Sequence, residues 1–344
     1  MPRTKANDLA AIDDDFLEES REQALDLLTP YPSLLLAVSG GPDSVALMLL
    51  CAQWSLRGSR QIAVATVDHR LRQEARAEAE EVGRWARALG YAHHLLTWEE
   101  EKPSTRLQER ARQARYALLT ACARRIGASA IVLAHHSEDQ AETILFRLAR
   151  GSGVAGLAGM ARVARGGDVA LLRPLLDFCK EELEAVCARA GQPFFRDPSN
   201  EDESFARVRL RRLAPVLAAQ GLSRDALLRL GSRAARADDA LGHCAAQTLT
   251  RALRRDEASC VELDAATLNE APLEILQRVL ASAILRVAPA SVLRLERLER
   301  ASARVAAALT ACGSVRLTLA DVSIEANSER IRLRLAPPRR SSSV

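Results

Sequence analysis

Aromatic residues are scarce in this sequence, at 3 % of 344 residues. The core therefore has to be built from aliphatic side chains and alanine. Lysine is almost absent, and arginine carries nearly all the positive charge. No apolar run approaches the roughly 20 residues that span a bilayer, so no membrane association is expected. The N-terminal stretch MPRTKANDLAAIDDDFLEES is polar and acidic. It lacks the apolar centre of a signal peptide, which predicts a cytoplasmic protein. The seven cysteines (Cys51, Cys122, Cys179, Cys187, Cys244, Cys260 and Cys312) are scattered, and none forms a C-x-x-C pair. Free thiols in a reducing compartment fit this better than a disulfide framework.

With a net charge of +4 and 48 % hydrophobic residues, the composition is that of a globular chain long enough for two domains. The charge is unevenly placed. Between Ala206 and Arg255 stand eleven arginines against three aspartates. A polyanion-binding surface and a solvated helical face both account for this excess.

Valine-, isoleucine- and leucine-rich runs alternate with helical spacing. Strands are expected at Leu34–Val38, Ile62–Val67, His94–Thr97 and Ala130–Ala134. Helices are expected over Glu74–Leu89, Ser104–Ile126 and Ser137–Arg150. Buried strands separated by helices predict an α/β fold with a parallel, doubly wound sheet. Such sheets bind ligands at the carboxyl ends of their strands, so residues just after Val38, Val67 and Ala134 should line a site. From Phe205 to about Leu285 the pattern is helical, and the last stretch alternates with period two. This predicts a catalytic domain over 1–220, a mainly helical second domain over 221–336 ending in a small β meander, and a disordered tail over 337–344.

Ser39-Gly40-Gly41-Pro42-Asp43-Ser44 follows the first strand directly. Strand, glycine turn and helix form a phosphate cradle, with backbone amides aimed at the anion. The lysine of a G-x-x-x-x-G-K-[ST] loop is missing, and Asp43 stands in its place. A carboxylate there reaches phosphate through Mg²⁺. Ser39 and Ser44 add hydroxyl donors. A cradle that grips pyrophosphate through backbone and metal makes pyrophosphate a leaving group. The loop resembles that of the PP-loop ATPases, also called N-type ATP pyrophosphatases, which cut ATP between the α and β phosphates.

Further motifs narrow the resemblance. They are Val67-Asp68-His69-Arg70-Leu71-Arg72, Glu109 to Tyr116, and Ala134-His135-His136-Ser137-Glu138-Asp139-Gln140-Ala141-Glu142-Thr143. Arg150-Gly151-Ser152-Gly153 and Asp197-Pro198-Ser199-Asn200 follow, with Arg207 and Arg211. From Leu34 to Arg212 the set resembles the tRNA(Ile)-lysidine synthetase family. That resemblance implies ATP and Mg²⁺ as cofactors, and free L-lysine and an isoleucine tRNA with anticodon CAU as partners. It implies adenylation of the wobble cytidine and displacement of AMP by the lysine ε-amine. It places the lysine on Arg115, Asp139 and Glu142, and the nucleotide near Asp68, His69 and His135. Arg207 and Arg211 would lie on the tRNA path, and a homodimer is compatible with the family.

The residues themselves speak to part of this. Ser137 and Gln140 have capping-box spacing, and Ala141, Ile144, Leu145 and Leu148 form an apolar stripe. Asp139 and Glu142 then share a neighbouring face, a site for an ammonium or a solvated helix start. His135 and His136 lack a third ligand at zinc spacing. Where the family has aspartate, this chain has Glu138. Two other readings are a PP-loop tRNA thiolase, which needs reactive cysteines, and a nucleotide- and RNA-binding module without catalysis.

Overall fold

The structure is a computed structural model that describes residues 24–55, 61–70, 74–100, 107–165, 167–196, 206–257 and 259–337. Leu71, Arg72, the Asp197–Asn200 motif, the predicted start of the third helix at Ser104 and the tail beyond Pro337 lie outside the described residues.

Five strands of the first sheet are parallel: β1 (Ser33–Ala37), β2 (Gln61–Asp68), β3 (Ala92–Thr97), β4 (Ala130–Val132) and β6 (Ala170–Leu172). An antiparallel edge strand, β5 (Val163–Arg165), completes the order β3-β2-β1-β4-β6-β5. Helices α1 (Pro42–Ser55), α2 (Ala75–Ala88), α3 (Leu107–Ile126) and α4 (Ser137–Leu148) alternate with the strands. The short α5 (Val154–Leu157) precedes β5, and α6 (Lys180–Arg189) follows β6.

Strand β1 shows why its residues are aliphatic throughout. Leu34, Leu36 and Val38 enter one core with α1 and α6, through Leu47, Met48, Leu183 and Cys187. Leu35 and Ala37 enter a second core on the opposite face, with Leu119, Cys122 and Ala123 of α3. A strand covered on both faces has no polar side to alternate. The strand order reverses between β1 and β4, which opens a crevice at their carboxyl ends.

Two more helices follow, α7 (Ala206–Ala219) and the long α8 (Arg224–Ala252). The chain divides into two compact units, Met1–Phe146 with Gly159–Leu228, and Arg147–Ala158 with Arg229–Val344. The second has its own five-stranded antiparallel sheet in the order β7-β8-β11-β10-β9. Its strands are β7 (Leu253–Glu257), β8 (Cys260–Asp264), β9 (Val315–Leu319), β10 (Val322–Ala326) and β11 (Arg330–Leu335). A core of aliphatic residues joins this sheet to α9 (Ala265–Asn269), α10 (Leu273–Val287) and α11 (Leu295–Thr310). The period-two tail is the β9-β10-β11 meander. The hairpin β7–β8 extends it, where the spacing had suggested only helix. Among the described residues no helix is long and apolar enough to cross a membrane.

Candidate active site

The cradle after β1 is shaped by Gly40 and by Ser44. Gly40 has φ +92°, a conformation open to glycine, and a Cβ there would lie 2.9 Å from Phe195 Cδ2. Phe195 closes the loop from outside. Its N–H donates to Gly40 O at 2.8 Å, and its ring stacks on Trp85 at 5.1 Å. The buried Ser44 hydroxyl accepts from the N–H groups of Ser39 (3.1 Å) and Gly40 (3.2 Å) and donates to Gly41 O (2.9 Å). Ser44 and the Gly40 amide are spent on holding the turn, because a single hydroxyl that both accepts and donates can tie three backbone groups together. The first-turn amides of α1 at Asp43 and Ser44 have no intrahelical acceptor and remain for an anion.

Asp43 stands at the start of α1. Burial raises its carboxyl above the usual range, with Asp139 acting in the same sense and His136 and Lys180 in the other. Its Oδ1 is buried without a hydrogen-bond partner. A half-buried carboxylate with an idle oxygen, beside free amides, fits a hard divalent cation shared with phosphate. Among the described residues no group of three or more His, Cys, Asp or Glu side chains forms a metal cage. Mg²⁺ is commonly held by one or two carboxylates, with phosphate and water completing its shell.

The crevice is bridged by His136. Its Nε2 lies 3.6 Å from Asp43 Oδ2 and 3.5 Å from Asp139 Oδ2, and its Nδ1 is 2.8 Å from Glu138 Oε2. Burial opposes the imidazolium, but the Glu138 hydrogen bond and the charges of Asp139 and Asp43 outweigh it and raise its pKa. Glu138 is the hub of this arrangement. Oε2 also accepts from Ser137 Oγ (3.1 Å) and Lys180 N (3.2 Å), and Oε1 accepts from Arg224 Nη1 at 2.7 Å. Burial works against its charge, yet the bonds from His136 and Arg224 pull the carboxyl down to about 2. The longer side chain found here in place of aspartate thus spans from the α4 start to α6 and α8.

The helix cap differs from the sequence reading. His136 O accepts from Gln140 N, and His136 N donates to Asp139 Oδ2 at 3.2 Å, so the cap residue is His136. Ser137 already lies inside the helix. Gln140 turns away to clamp Met160, accepting from its N at 2.7 Å and donating to its O at 2.9 Å. Ala141 and Ile144 are buried and Leu145 half-buried, while Leu148 is 41 % exposed and leaves the expected stripe.

The remaining expected residues fall as follows. Arg115 is half-buried on α3, where burial lowers its pKa and Asp139 is near enough to act on it. Glu142 carries a bidentate pair with Arg211, at 2.6 and 3.1 Å, so two residues assigned to different ligands meet each other. Arg207, as a side chain, lies outside the described residues. Asp68 is buried at the end of β2 and accepts from Arg70 N at 2.8 Å, which supports the left-handed backbone of Arg70. His69 meets Trp98 edge-on at 6.0 Å. His135 is half-buried, with an unpartnered Nδ1. Burial, reinforced by Arg173, Arg115 and Arg112 against the opposing charge of Asp139, holds its pKa near 4. It is therefore a neutral imidazole at pH 7.

Sequence reasoning set His136 aside with a zinc reading and did not weigh Phe195, Arg173 or Arg224. Adjacency to His135 was the one available signal for His136. Phe195 and Arg224 reach the site through contacts distant along the chain.

The doubly wound sheet, its glycine cradle and the aspartate in place of a lysine define a nucleotide-binding α/β domain of the PP-loop class, and the PP-loop domain model matches residues 16–217. In fold the chain is similar to the U34-tRNA thiolase NcsA from Methanococcus maripaludis, with a TM-score of 0.54 at 12 % identity, over 64 % of this chain and 80 % of that one. In sequence it is far nearer to another branch. It is 48 % identical to the tRNA(Ile)-lysidine synthase of Methylobacterium sp. (strain 4-46) over 89 % of this chain and 90 % of that protein. It is 42 % identical to the enzyme of the same name from Bradyrhizobium sp. (strain BTAi1), over 95 % and 97 %. The chain belongs to the tRNA(Ile)-lysidine synthase family.

Proposed function

We infer that the protein ligates lysine to C2 of the wobble cytidine in the CAU anticodon of an isoleucine tRNA, at the expense of ATP. ATP adenylates the 2-oxygen of the base and releases pyrophosphate; the lysine ε-amine then displaces AMP and leaves lysidine. The observation that carries this reading is the bridge at His136. It joins Asp43 of the cradle to Asp139 of α4 through contacts of 3.6 and 3.5 Å. On this reading a leaving-group site at Asp43 and an ammonium site at Asp139 share one small volume, as a two-step ligation requires.

Asp43 and the first-turn amides of α1 would hold Mg²⁺ and the pyrophosphate. A metal bound there would neutralise charge on the leaving group. Asp139 and Glu142 receive the ammonium, and His136, fixed by Glu138, lies between the carboxylates of Asp43 and Asp139. Neutral His135 and half-buried Arg115 border the same space. Catalysis by such a set is positional and electrostatic. The unpaired wobble base has to be splayed out to enter.

The thiolase alternative draws support from the fold alone. It needs thiolates, and burial pushes Cys51 up to about 12 and Cys179 and Cys187 up to about 11. Such thiols are protonated and poor nucleophiles. The test is incorporation of labelled lysine into the tRNA with ATP and Mg²⁺, beside Asp43→Asn. Label in the wobble cytidine, lost in the variant, is the expected result. ATP consumption without lysine incorporation would overturn the substrate assignment.

A further inference from the structure

Arg224 meets the site from far along the chain and has no task in the reading above. It is the first residue of α8. Ser223 before it caps the helix: its Oγ accepts from Ala226 N at 3.2 Å, and its O accepts from Leu227 N at 3.0 Å. A cation in the first turn faces the positive end of the helix dipole, the end that favours carboxylates. Asp225 offsets part of this, accepting from Arg224 Nε at 3.1 Å. Arg224 Nη1 reaches Glu138, 86 residues earlier, at 2.7 Å from Oε1. A residue set against its local preference, and bonded so far along the chain, is placed for its partner.

That partner is fully engaged. Oε1 takes Arg224, and Oε2 takes His136 Nδ1, Ser137 Oγ and Lys180 N at 2.8, 3.1 and 3.2 Å. A carboxylate offers about four lone-pair sites, so these donors together fix its orientation. They differ in origin. His136 and Ser137 are neighbours of Glu138 in sequence and move with it. Lys180 N and Arg224 belong to α6 and α8 and hold it from outside. Of these two, Arg224 makes the shorter contact and the charged one. The His136 ring passes the constraint on. Its Nδ1 faces Glu138, while its Nε2 lies 3.6 Å from Asp43 Oδ2 and 3.5 Å from Asp139 Oδ2. The ring is rigid, so a shift at one nitrogen is a shift at the other.

We propose that Arg224 is a positioning residue for the adenylation step: through Glu138 it fixes the His136 ring between the carboxylate that serves ATP and the carboxylate that serves lysine. The proposal rests on the lysine-ligase reading, which assigns those two carboxylates. Arg224 itself touches neither substrate. Loss of its contact frees Oε1, lets the Glu138 side chain turn, and leaves the ring without a set direction. The cradle backbone and Asp43 stay in place. The rate therefore falls while the binding of ATP does not.

The test is tRNA-dependent pyrophosphate release by the full-length enzyme with ATP and Mg²⁺, with melting temperatures measured beside it. Arg224→Gln should lower kcat about tenfold and leave the KM for ATP within about twofold, the pattern of a misplaced group and not of lost binding. Arg224→Lys, which keeps a charged donor, should recover part of the rate. The decisive comparison is a cycle with Glu138→Asp, which keeps the carboxylate but is one methylene too short to bond both Arg224 and His136. In that background Arg224→Gln should cost less than about twofold, because the contact is already broken. If Glu138→Asp fails to fold, His136→Asn takes its place with the same expectation. A tenfold loss that persists in the second background overturns the proposal, since Arg224 then acts by another route. An unchanged kcat in folded Arg224→Gln overturns it, and so does a raised KM for ATP at unchanged kcat. Wild-type enzyme that releases pyrophosphate but incorporates no labelled lysine overturns the ligase reading, and this inference falls with it.

Discussion

At the scale of single residues, Gly40 and Glu138 make the strongest demands. Alanine at position 40 would force φ +92° on a residue with a Cβ and press that Cβ to 2.9 Å from Phe195. Gly40→Ala should cost about 1–3 kcal/mol of stability in denaturant unfolding. It should also slow tRNA-dependent pyrophosphate release by about tenfold or more, since the cradle would no longer be shaped for the anion. Glu138 is held near pKa 2 against an ordinary 4.5. A depressed folded-state pKa means that its contribution is full above 4.5 and is lost as the pH falls toward 2. Partly exposed as its bonds are, Glu138→Gln should cost about 1–2 kcal/mol at pH 7. The gap in melting temperature from wild type should close between pH 4.5 and 2. A gap that stays constant across that window would show that Glu138 acts by shape and not by charge. Asp43, Asp139, Arg115 and His135 could be singled out as candidates because each sits in a short motif of the sequence. Phe195 and Arg224 were not, because what defines them is a partner that sequence spacing does not bring near.

At the scale of elements, most helices and parallel strands could be read from hydrophobic spacing, and the misses have physical causes. The cap of α4 moved one residue upstream because Asp139, three residues beyond His136, reaches back to its N–H. Gln140 was then free to clamp Met160. Strand β7 was hidden because it is an edge strand with four of its five residues exposed. Without a buried face it shows no alternation. Helix α7 supplies the third prediction. Arg211 now occupies the Glu142 carboxylate that is assigned to the substrate ammonium. If the two compete, Arg211→Gln should lower the KM for lysine about three- to tenfold, by releasing that carboxylate. A raised KM for tRNA, steeply dependent on salt and with lysine unaffected, would instead make Arg211 a phosphate contact.

At the scale of the whole molecule, each unit has its own sheet and its own aliphatic core. Chemical unfolding should therefore show two transitions. ATP with Mg²⁺ at about 100 times its Kd should stabilise the first unit by about 2.7 kcal/mol and leave the second in place. Coincident transitions that shift together with ligand would show instead that the long helix α8 makes one cooperative body of the chain. The brace at the cradle has a consequence for how the protein comes into being. Strand β1, the glycine turn and α1 are neighbours in sequence and can form early, but Gly40 is closed by Phe195, which follows the whole of the first sheet. Contacts so far apart in sequence form late. A chain emerging from the ribosome would thus carry the strand and helix of its nucleotide site long before it could bind a nucleotide. The competence to spend ATP arrives only when the domain is nearly finished.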